Sequence, residues 1–380
     1  MEDLVKNAWH GRKVFVTGHT GFKGGWLALW LARMGARVRG YSLDPPTRPC
    51  FFEAARIGSD VEDLRGDLRD ATSLDRAMRE FGPEAVFHLG AQPLVRHSYA
   101  DPVGTYATNV IGTANVLESI RTLRSVRAAV IVTTDKCYLN REWHWSYRET
   151  DPLGGHDPYS SSKACVEILT ASYRNSFFRP EMLATHGVGL ATARAGNVIG
   201  GGDWSEDRLV PDLVRGFMAK ESVLIRYPQA IRPWQHVLEP IAGYLALGER
   251  LFAGEARFAD SWNFGPWDRD TWSVGRVATE MVRHWGDGAH WHSDDSRSSH
   301  EAQFLKLDSS KARAELHWLP RLDLTTTLEW LVDWYQSWRN GLDMRTFSHN
   351  QVSSYEALLQ SSETQSDCIK KSTSPLETRM

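Results

Sequence analysis

Lys13-Val14-Phe15-Val16-Thr17 reads as a buried strand, and it passes without a spacer into Gly18-His19-Thr20-Gly21-Phe22-Lys23-Gly24. Trp26, Leu27, Leu29, Trp30 and Leu31 then supply a helical apolar face that Gly35 stops just after Met34. Strand, glycine turn and helix in that order leave few folds open, because the glycines let backbone N–H groups at a helix N-terminus approach a pyrophosphate that a Cβ would hold off. Loops also collect glycine for ordinary turns, so the rest of the chain must supply the context.

A second strand, Arg37 to Tyr41, leads to Asp44, 20 residues beyond Gly24, where a carboxylate can accept hydrogen bonds from an adenosine ribose. The same charge repels a 2′-phosphate, which favours NAD over NADP, while Arg39 and Arg48 nearby keep NADP open. Gly66-Asp67-Leu68 closes a third strand, and Val86 to Ala91 is a fourth that opens into small residues, Gly90-Ala91, where a flat cofactor can lie. The cofactor set is therefore Gly18, Thr20, Gly21, Phe22, Lys23, Gly24, Asp44, Asp67, Leu68, Leu89 and Ala91, with Thr108 at the start of a helix running to Leu123. Strands alternating with helices predict an α/β fold with a doubly wound parallel sheet of Rossmann type.

The next strand, Ala128 to Thr134, ends in Thr134-Asp135-Lys136 at a carboxyl edge, the edge where such sheets bind ligands. Beyond a tryptophan-rich loop comes Asp157-Pro158-Tyr159-Ser160-Ser161-Ser162-Lys163. Asp-Pro predicts an N-cap and first helical residue, so Tyr159 and Lys163, four apart, share one face of the helix that follows. A phenol beside a cation faces a strand end bearing an acid and an amine. A lysine next to a tyrosine, together with the nicotinamide cation of a bound cofactor, favours the phenolate.

After a strand from Val188 to Arg194 the alternation breaks down, and Asn197, Arg208, Leu209 and Arg232 fall in a smaller lobe. Guanidinium groups pair bidentately with phosphate oxygens, which makes Arg208 and Arg232 candidates for a substrate diphosphate. The expected division is a cofactor domain over 1–197 with a returning segment near 232–265, a mainly substrate-binding domain over 198–340, and a polar, mobile tail over 341–380. Trp330, Trp334 and Trp338 form a packing stripe on a helix from Leu324 to Arg339. His284, His290, His292 and His300 with Asp294 and Asp295 match no settled ligand geometry, and no metal is expected.

A net charge of -3 over 380 residues excludes the basic field that nucleic acid would need. The most apolar window, Trp26 to Val38, is broken by Arg33 and Arg37, and no signal peptide is visible at the start. Scattered Cys50, Cys137, Cys165 and Cys368 fit reduced thiols of a cytoplasmic protein.

Thr17 to Gly24, Ala91 to Arg96, Ser146 to Pro158, Ala195 to Trp204 and Ile231 to Pro240, with the Thr-Asp-Lys strand end and Tyr-x-x-x-Lys, resemble the extended short-chain dehydrogenase/reductase family over Lys13 to Arg339. Lys136 stands where TDP-sugar dehydratases carry Glu, which points to the CDP-sugar branch of the nucleotide-sugar 4,6-dehydratases. The resemblance implies tightly held NAD, a homodimer or tetramer, a nucleotide-sugar substrate, and a place in cytoplasmic deoxysugar and lipopolysaccharide biosynthesis. It assigns Tyr159 as base at the C4 hydroxyl and Lys163 as its partner on the nicotinamide ribose, which adds both to the cofactor-binding set, with Thr134 as partner of the C4 oxygen, Asp135 as acid at C6 and Lys136 as base at C5. Gln92, Arg96, Asn197, Arg208, Leu209 and Arg232 become substrate-binding positions. One departure is Gly90-Ala91, where relatives often have Ala-Ala. A 4-epimerase or reductase of the same family, or a non-catalytic NAD-sensing protein, stays an alternative at this point.

Overall fold

The computed structural model describes residues 8–293 and 304–372, with side chains through residue 361. Its strands are β1 (Lys13–Thr17), β2 (Arg37–Ser42), β3 (Glu62–Arg65), β4 (Ala85–His88), β5 (Ala128–Val132), β6 (Gly189–Ala195), β7 (Asn197–Ile199), β8 (Val223–Ile225), β9 (Ile231–His236), β10 (Ser261–Phe264), β11 (Thr271–Ser273) and β12 (Trp291–Ser293). The longer helices are α1 (Phe22–Arg33), α2 (Ala71–Phe81), α3 (Gly112–Thr122), α4 (Pro158–Phe177), α5 (Leu209–Ala219), α6 (Leu238–Phe252), α7 (Val274–Trp285), α8 (Leu324–Arg339) and α9 (Met344–Ser372).

Seven parallel strands form the main sheet in the order β10-β6-β5-β4-β1-β2-β3. The order reverses between β1 and β4, and that crevice is where doubly wound sheets take a ligand. Central β5, Ala-Ala-Val-Ile-Val, is buried at every residue, as a parallel strand covered on both faces must be. Edge strand β3, Glu-Asp-Leu-Arg, is exposed throughout, and its charges discourage pairing with another chain.

The smaller lobe is built from the sheet β11-β9-β7 and the pair β12-β8. Aromatic packing joins it to the cofactor side. Trp26 of α1 stacks on Phe51 with centroids 4.5 Å apart and donates its indole N–H to Gly201 O at 3.0 Å. Gly201 lies so close to α8 that a Cβ there would come within 2.0 Å of Trp334. Trp334 is fully buried, with Trp330 and Trp338 packed around the same core, so the tryptophan stripe is packing as expected.

The stretch read as a mobile tail is different from that expectation through residue 361. It is helix α9, which buries Met344, Ser348, Val352 and Tyr355 against the body of the protein. The Tyr355 hydroxyl donates to Glu239 Oε2 at 2.7 Å, and Trp30 Nε1 donates to Glu356 Oε1 at 3.0 Å. Among the described residues, no helix is long and apolar enough to cross a membrane.

Candidate active site

The glycine turn is shaped by two contacts that exclude side chains. Gly18 has φ +77° and sits so near β4 that a Cβ would lie 2.7 Å from Gly90 N, while a Cβ on Gly24 would lie 2.0 Å from Gly18 O. Gly21 caps α1 without a side-chain hydrogen bond, which leaves first-turn N–H groups for an anion. Thr20 Oγ1 meets Ser42 Oγ at 2.8 Å and donates to Leu43 O at 3.0 Å, pinning the turn to the end of β2. Beyond it the Asp44 side chain is 90% exposed, 3.7 Å from Arg65. The Asp67 carboxylate is gripped by Arg69, which holds it below the usual carboxylate range.

Leu89 and Gly90 both donate backbone N–H groups to Thr17 Oγ1, at 3.1 and 3.0 Å. That hydroxyl meets His88 Nδ1 at 2.7 Å, and His88 Nε2 meets Thr113 Oγ1 at 2.9 Å. Because Thr113 donates its own proton to Asn109 O at 2.5 Å, His88 carries its hydrogen on Nε2. Burial pushes His88 down to about 3, so it is a neutral strut across the switch point. A Cβ on Gly90 would meet the movable Leu68 Cδ1 at 2.8 Å, Thr17 Oγ1 at 3.2 Å and, in ordinary contact, Gly18 N at 3.4 Å. Ala91 follows in the bend.

Gln92 does not present a free side chain to a substrate. Its amide nitrogen donates to Leu94 O at 3.1 Å and Thr105 Oγ1 at 3.0 Å, and its oxygen accepts from Leu94 N at 2.6 Å, so it orders its own loop. Asn109, beside Thr108 in a π-helical turn, ties that loop to Ser162 of α4 through bonds to Gln92 N, Gln92 O and Ser162 Oγ. No motif in the sequence marks His88 or Asn109. A polar residue one turn before an apolar helix face is the only signal Asn109 offers.

β5 delivers Thr134 as the cap of a 3₁₀ turn, Asp135 to Cys137. Asp157 caps α4 by accepting from Ser160 N at 2.8 Å, with Pro158 first in the helix, as Asp-Pro predicts. Tyr159 and Lys163 thereby sit on one buried face, 8% and 7% exposed. Lys163 Nζ donates to Val132 O at 3.4 Å, and burial lowers it to about 8. Burial raises Tyr159 to about 12, against a hydrogen bond with Thr134 and the charge of Arg208. The expected phenolate rests on the adjacent lysine together with the nicotinamide cation of a bound cofactor, and so concerns the cofactor-bound site. Desolvation outweighs the cations, and the cation acting most on the phenol is Arg208.

Asp135 is fully buried. Its Oδ1 accepts from Thr134 Oγ1 at 2.8 Å, and its Oδ2 has no hydrogen-bond partner, Lys136 included. Gly196 packs beside it, since a Cβ there would be 3.2 Å from Asp135 Oδ2 and 2.5 Å from Pro233 Cγ. Next in chain, Asn197 Oδ1 is buried and also unpartnered, and Arg232 is buried in β9 with Nη1 donating to Ile231 O at 2.9 Å. Arg208, just before Leu209 opens α5, is held by Asp203 at 2.8 Å and faces Tyr159. Arg96 pairs with Asp207 at 2.6 Å. Lys23, half-buried, is lowered to about 7 by burial and by Lys163 and Arg208, with Lys136 and Asp135 also acting on it. Glycine turn, strand end and Tyr-Lys helix thus converge on one region, with two buried acceptor atoms, Asp135 Oδ2 and Asn197 Oδ1, unspent and cations around them.

Among the described residues no cluster of His, Cys, Asp and Glu could hold a metal ion. His284 meets Glu280, His290 meets Gly288 O and His292 meets Ser222, while Asp294, Asp295 and His300 lie outside the described residues.

The GDP-mannose 4,6-dehydratase family model matches residues 15–188. The CDP-glucose 4,6-dehydratase of Salmonella typhimurium is 53% identical over 93% of this chain and 98% of its own length. Among solved structures, an epimerase from Methanothermobacter thermautotrophicus superposes with TM-score 0.74 at 22% identity, covering 91% of this chain and 97% of that one. The dTDP-glucose 4,6-dehydratase of Bacillus anthracis, solved in complex with NAD, superposes with TM-score 0.70 at 18% identity over 88% of this chain and 100% of that one. The last two likenesses establish the fold.

Proposed function

Because the chain belongs to the CDP-glucose 4,6-dehydratase family of extended short-chain dehydrogenases/reductases, we propose that it converts CDP-glucose into CDP-4-dehydro-6-deoxyglucose by NAD-dependent loss of water. The uncapped start of α1, the glycines that admit a backbone-close ligand and Lys163 beside the pocket fit a dinucleotide. Gly18, Thr20, Gly21, Phe22, Lys23, Gly24, Asp44, Asp67, Leu68, Leu89, Ala91 and Thr108 would hold it. NAD bound there would supply a hydride acceptor for C4 whose reduced form returns the hydride to C6.

Tyr159 takes the C4 hydroxyl proton. A ketone at C4 acidifies C5–H, which Lys136 removes, and Asp135 gives a proton to the departing C6 hydroxyl. Arg208, Arg232 and Arg96 supply charge for the diphosphate, and Asn197 offers its open acceptor to the sugar. The observation that carries this reading is the buried Asp135, with one oxygen free, adjoining Lys136 at the strand end that meets Tyr159. A 4-epimerase or reductase needs no acid and amine there, and a binder needs none of the set. Mass spectrometry of the product tests it. Loss of one water from CDP-glucose supports the reading, and an isomer of unchanged mass refutes it.

We further infer a homodimer. Tyr99, Val103, Ile111, Ile168 and Phe177 are exposed on helices that pack on one another, an apolar face suited to a second copy. The division into a cofactor part, with β10 returning to the main sheet, and a smaller substrate part is proposed on the same footing, as are a cytoplasmic site of action and a supply of deoxysugar for lipopolysaccharide.

A further inference from the structure

Asp135 and Lys136 stand in a short turn, and the dehydration proposed above, on which this inference rests, requires that turn to hold them against C6 and C5 of a sugar whose C4 meets Tyr159. The acid has no side-chain anchor outside the turn. Asp135 Oδ1 is bonded to Thr134 and its Oδ2 has no partner, so the carboxyl goes where the turn backbone goes. Whatever fixes that backbone bears on the elimination step.

One ion pair grips both ends of the turn. On the N-terminal side the Thr133 hydroxyl donates to Glu167 Oε1. On the C-terminal side Arg194 Nη1 donates to the Tyr138 hydroxyl at 2.7 Å, while Arg194 Nη2 donates to Glu167 Oε2 at 2.7 Å. Thr133, Glu167, Arg194 and Tyr138, all buried, thus form a bracket across Thr134 to Cys137. The Tyr138 hydroxyl spends its own proton on Asn263 Oδ1 at 2.8 Å, which ties β10 to the bracket, and its ring stacks on Tyr147 with centroids 5.2 Å apart. Glu167 belongs to α4, so the bracket refers the turn to the same helix that carries Tyr159 and Lys163.

We propose that Tyr138 is a positioning residue for water loss. Through Arg194 and Glu167 its hydroxyl sets the turn bearing Asp135 and Lys136 against the helix bearing Tyr159. Oxidation at C4 relies on Tyr159 and Lys163, which α4 places without Tyr138, and elimination relies on the part of the turn that Tyr138 closes. Removing the hydroxyl shifts the turn without releasing the chain. Leu139 N still donates to Pro152 O at 2.9 Å and Gly154 N to Cys137 O at 2.8 Å, and Arg194 Nη1 keeps Glu149 O as an acceptor at 3.1 Å. A misplacement of about 1 Å can cost a positioned reaction about 10²-fold, and a smaller shift of this kind about tenfold.

Single-turnover kinetics on the cofactor-loaded protein with CDP-glucose test this, following reduced-cofactor absorbance and product mass in Tyr138→Phe, Thr133→Val and Thr133→Ser. Tyr355→Phe, which removes an equally buried hydroxyl from the contact between α9 and α6, is the control for lost stability. Tyr138→Phe is expected to keep C4 oxidation within about threefold and to slow water loss about tenfold or more, so that reduced cofactor builds up higher and persists longer. Thr133→Val should show the same split, Thr133→Ser should abolish it, Tyr355→Phe should lack it, and CDP-glucose affinity by calorimetry should stay within a few-fold throughout. Oxidation and water loss slowed by one common factor in Tyr138→Phe, or the same split in Tyr355→Phe, overturns the positioning role alone. Should Tyr138→Phe fail to fold, Thr133→Val decides, and an unchanged partition there overturns the role. No product from the unmodified protein overturns the dehydration reading and the positioning role together.

Discussion

Glu167, one helical turn beyond Lys163, accepts Arg194 Nη2 at 2.7 Å in an ion pair almost wholly removed from solvent. It also accepts from the hydroxyls of Thr133, Thr192 and Ser261, so this one carboxylate joins α4 to the ends of β5, β6 and β10 beneath the catalytic strand end. Removing one partner leaves the other buried and charged. Glu167→Gln is expected to cost about 3–5 kcal/mol in denaturant unfolding. The Arg194 charge and the hydrogen bonds hold Glu167 below its usual value of 4.5 despite the burial that opposes them. A depressed carboxyl contributes stability above its unfolded pKa and loses it as pH falls through the folded one. Acid unfolding of the variant should therefore lack part of the loss seen in the unmodified protein below about pH 4.5.

Glu239 behaves in the opposite sense. Burial raises it to about 7, although Arg321 N and Leu322 N donate to Oε1 at 2.8 and 2.7 Å and Tyr355 to Oε2. A carboxyl raised in the folded state binds more protons there, so its contribution is full below the unfolded pKa and fades as pH rises through about 7. Glu239→Gln keeps an acceptor for the two N–H groups and cannot ionise. Its unfolding free energy should gain on that of the unmodified protein across this window, on the order of 2–3 kcal/mol at the alkaline end, as followed by urea titrations at a series of pH values.

The two glycines at the crevice should respond unequally. Gly18→Ala places a Cβ at φ +77° against the backbone of Gly90, which cannot yield. NAD affinity by calorimetry is expected to fall at least about tenfold, with stability down by about 1–3 kcal/mol. Gly90→Ala meets chiefly the far end of Leu68, so its NAD affinity should remain within a few-fold.

Lys23 supplies a pH signature. Its amine is held near 7 by burial and neighbouring cations, so it gains its charge as pH falls through that value. Binding of an anionic dinucleotide should tighten as pH drops from about 8 to about 6, and Lys23→Met should flatten that dependence in calorimetry.

Much of this framework is legible in the sequence. A parallel sheet buried on both faces writes its strands as short β-branched runs, as in β5, and its ligand edge is then wherever those runs stop. Asp157-Pro158 likewise announces α4. The supports beneath the site are different in kind. Glu167 and Arg194 lie 27 residues apart on different elements, and His88 and Thr17 lie 71 apart. Only the tertiary fold brings such partners together. Gln92 shows the converse, a residue in a matching motif whose side chain is spent on its own loop. In α9 the buried Met344, Ser348, Val352 and Tyr355 recur at helical spacing, a pattern that polar neighbours obscure.

The central claim is that Asp135 and Lys136 turn reversible oxidation at C4 into elimination. Its most direct test is to incubate the unmodified protein and Lys136→Met separately with CDP-, TDP-, UDP- and GDP-hexoses and NAD, and to weigh the products. The account predicts a keto-deoxy sugar, one water lighter, from CDP-glucose with the unmodified protein, and from Lys136→Met partial cofactor reduction without water loss. Normal dehydration by Lys136→Met, or a C4 epimer as the only product of the unmodified protein, would contradict it.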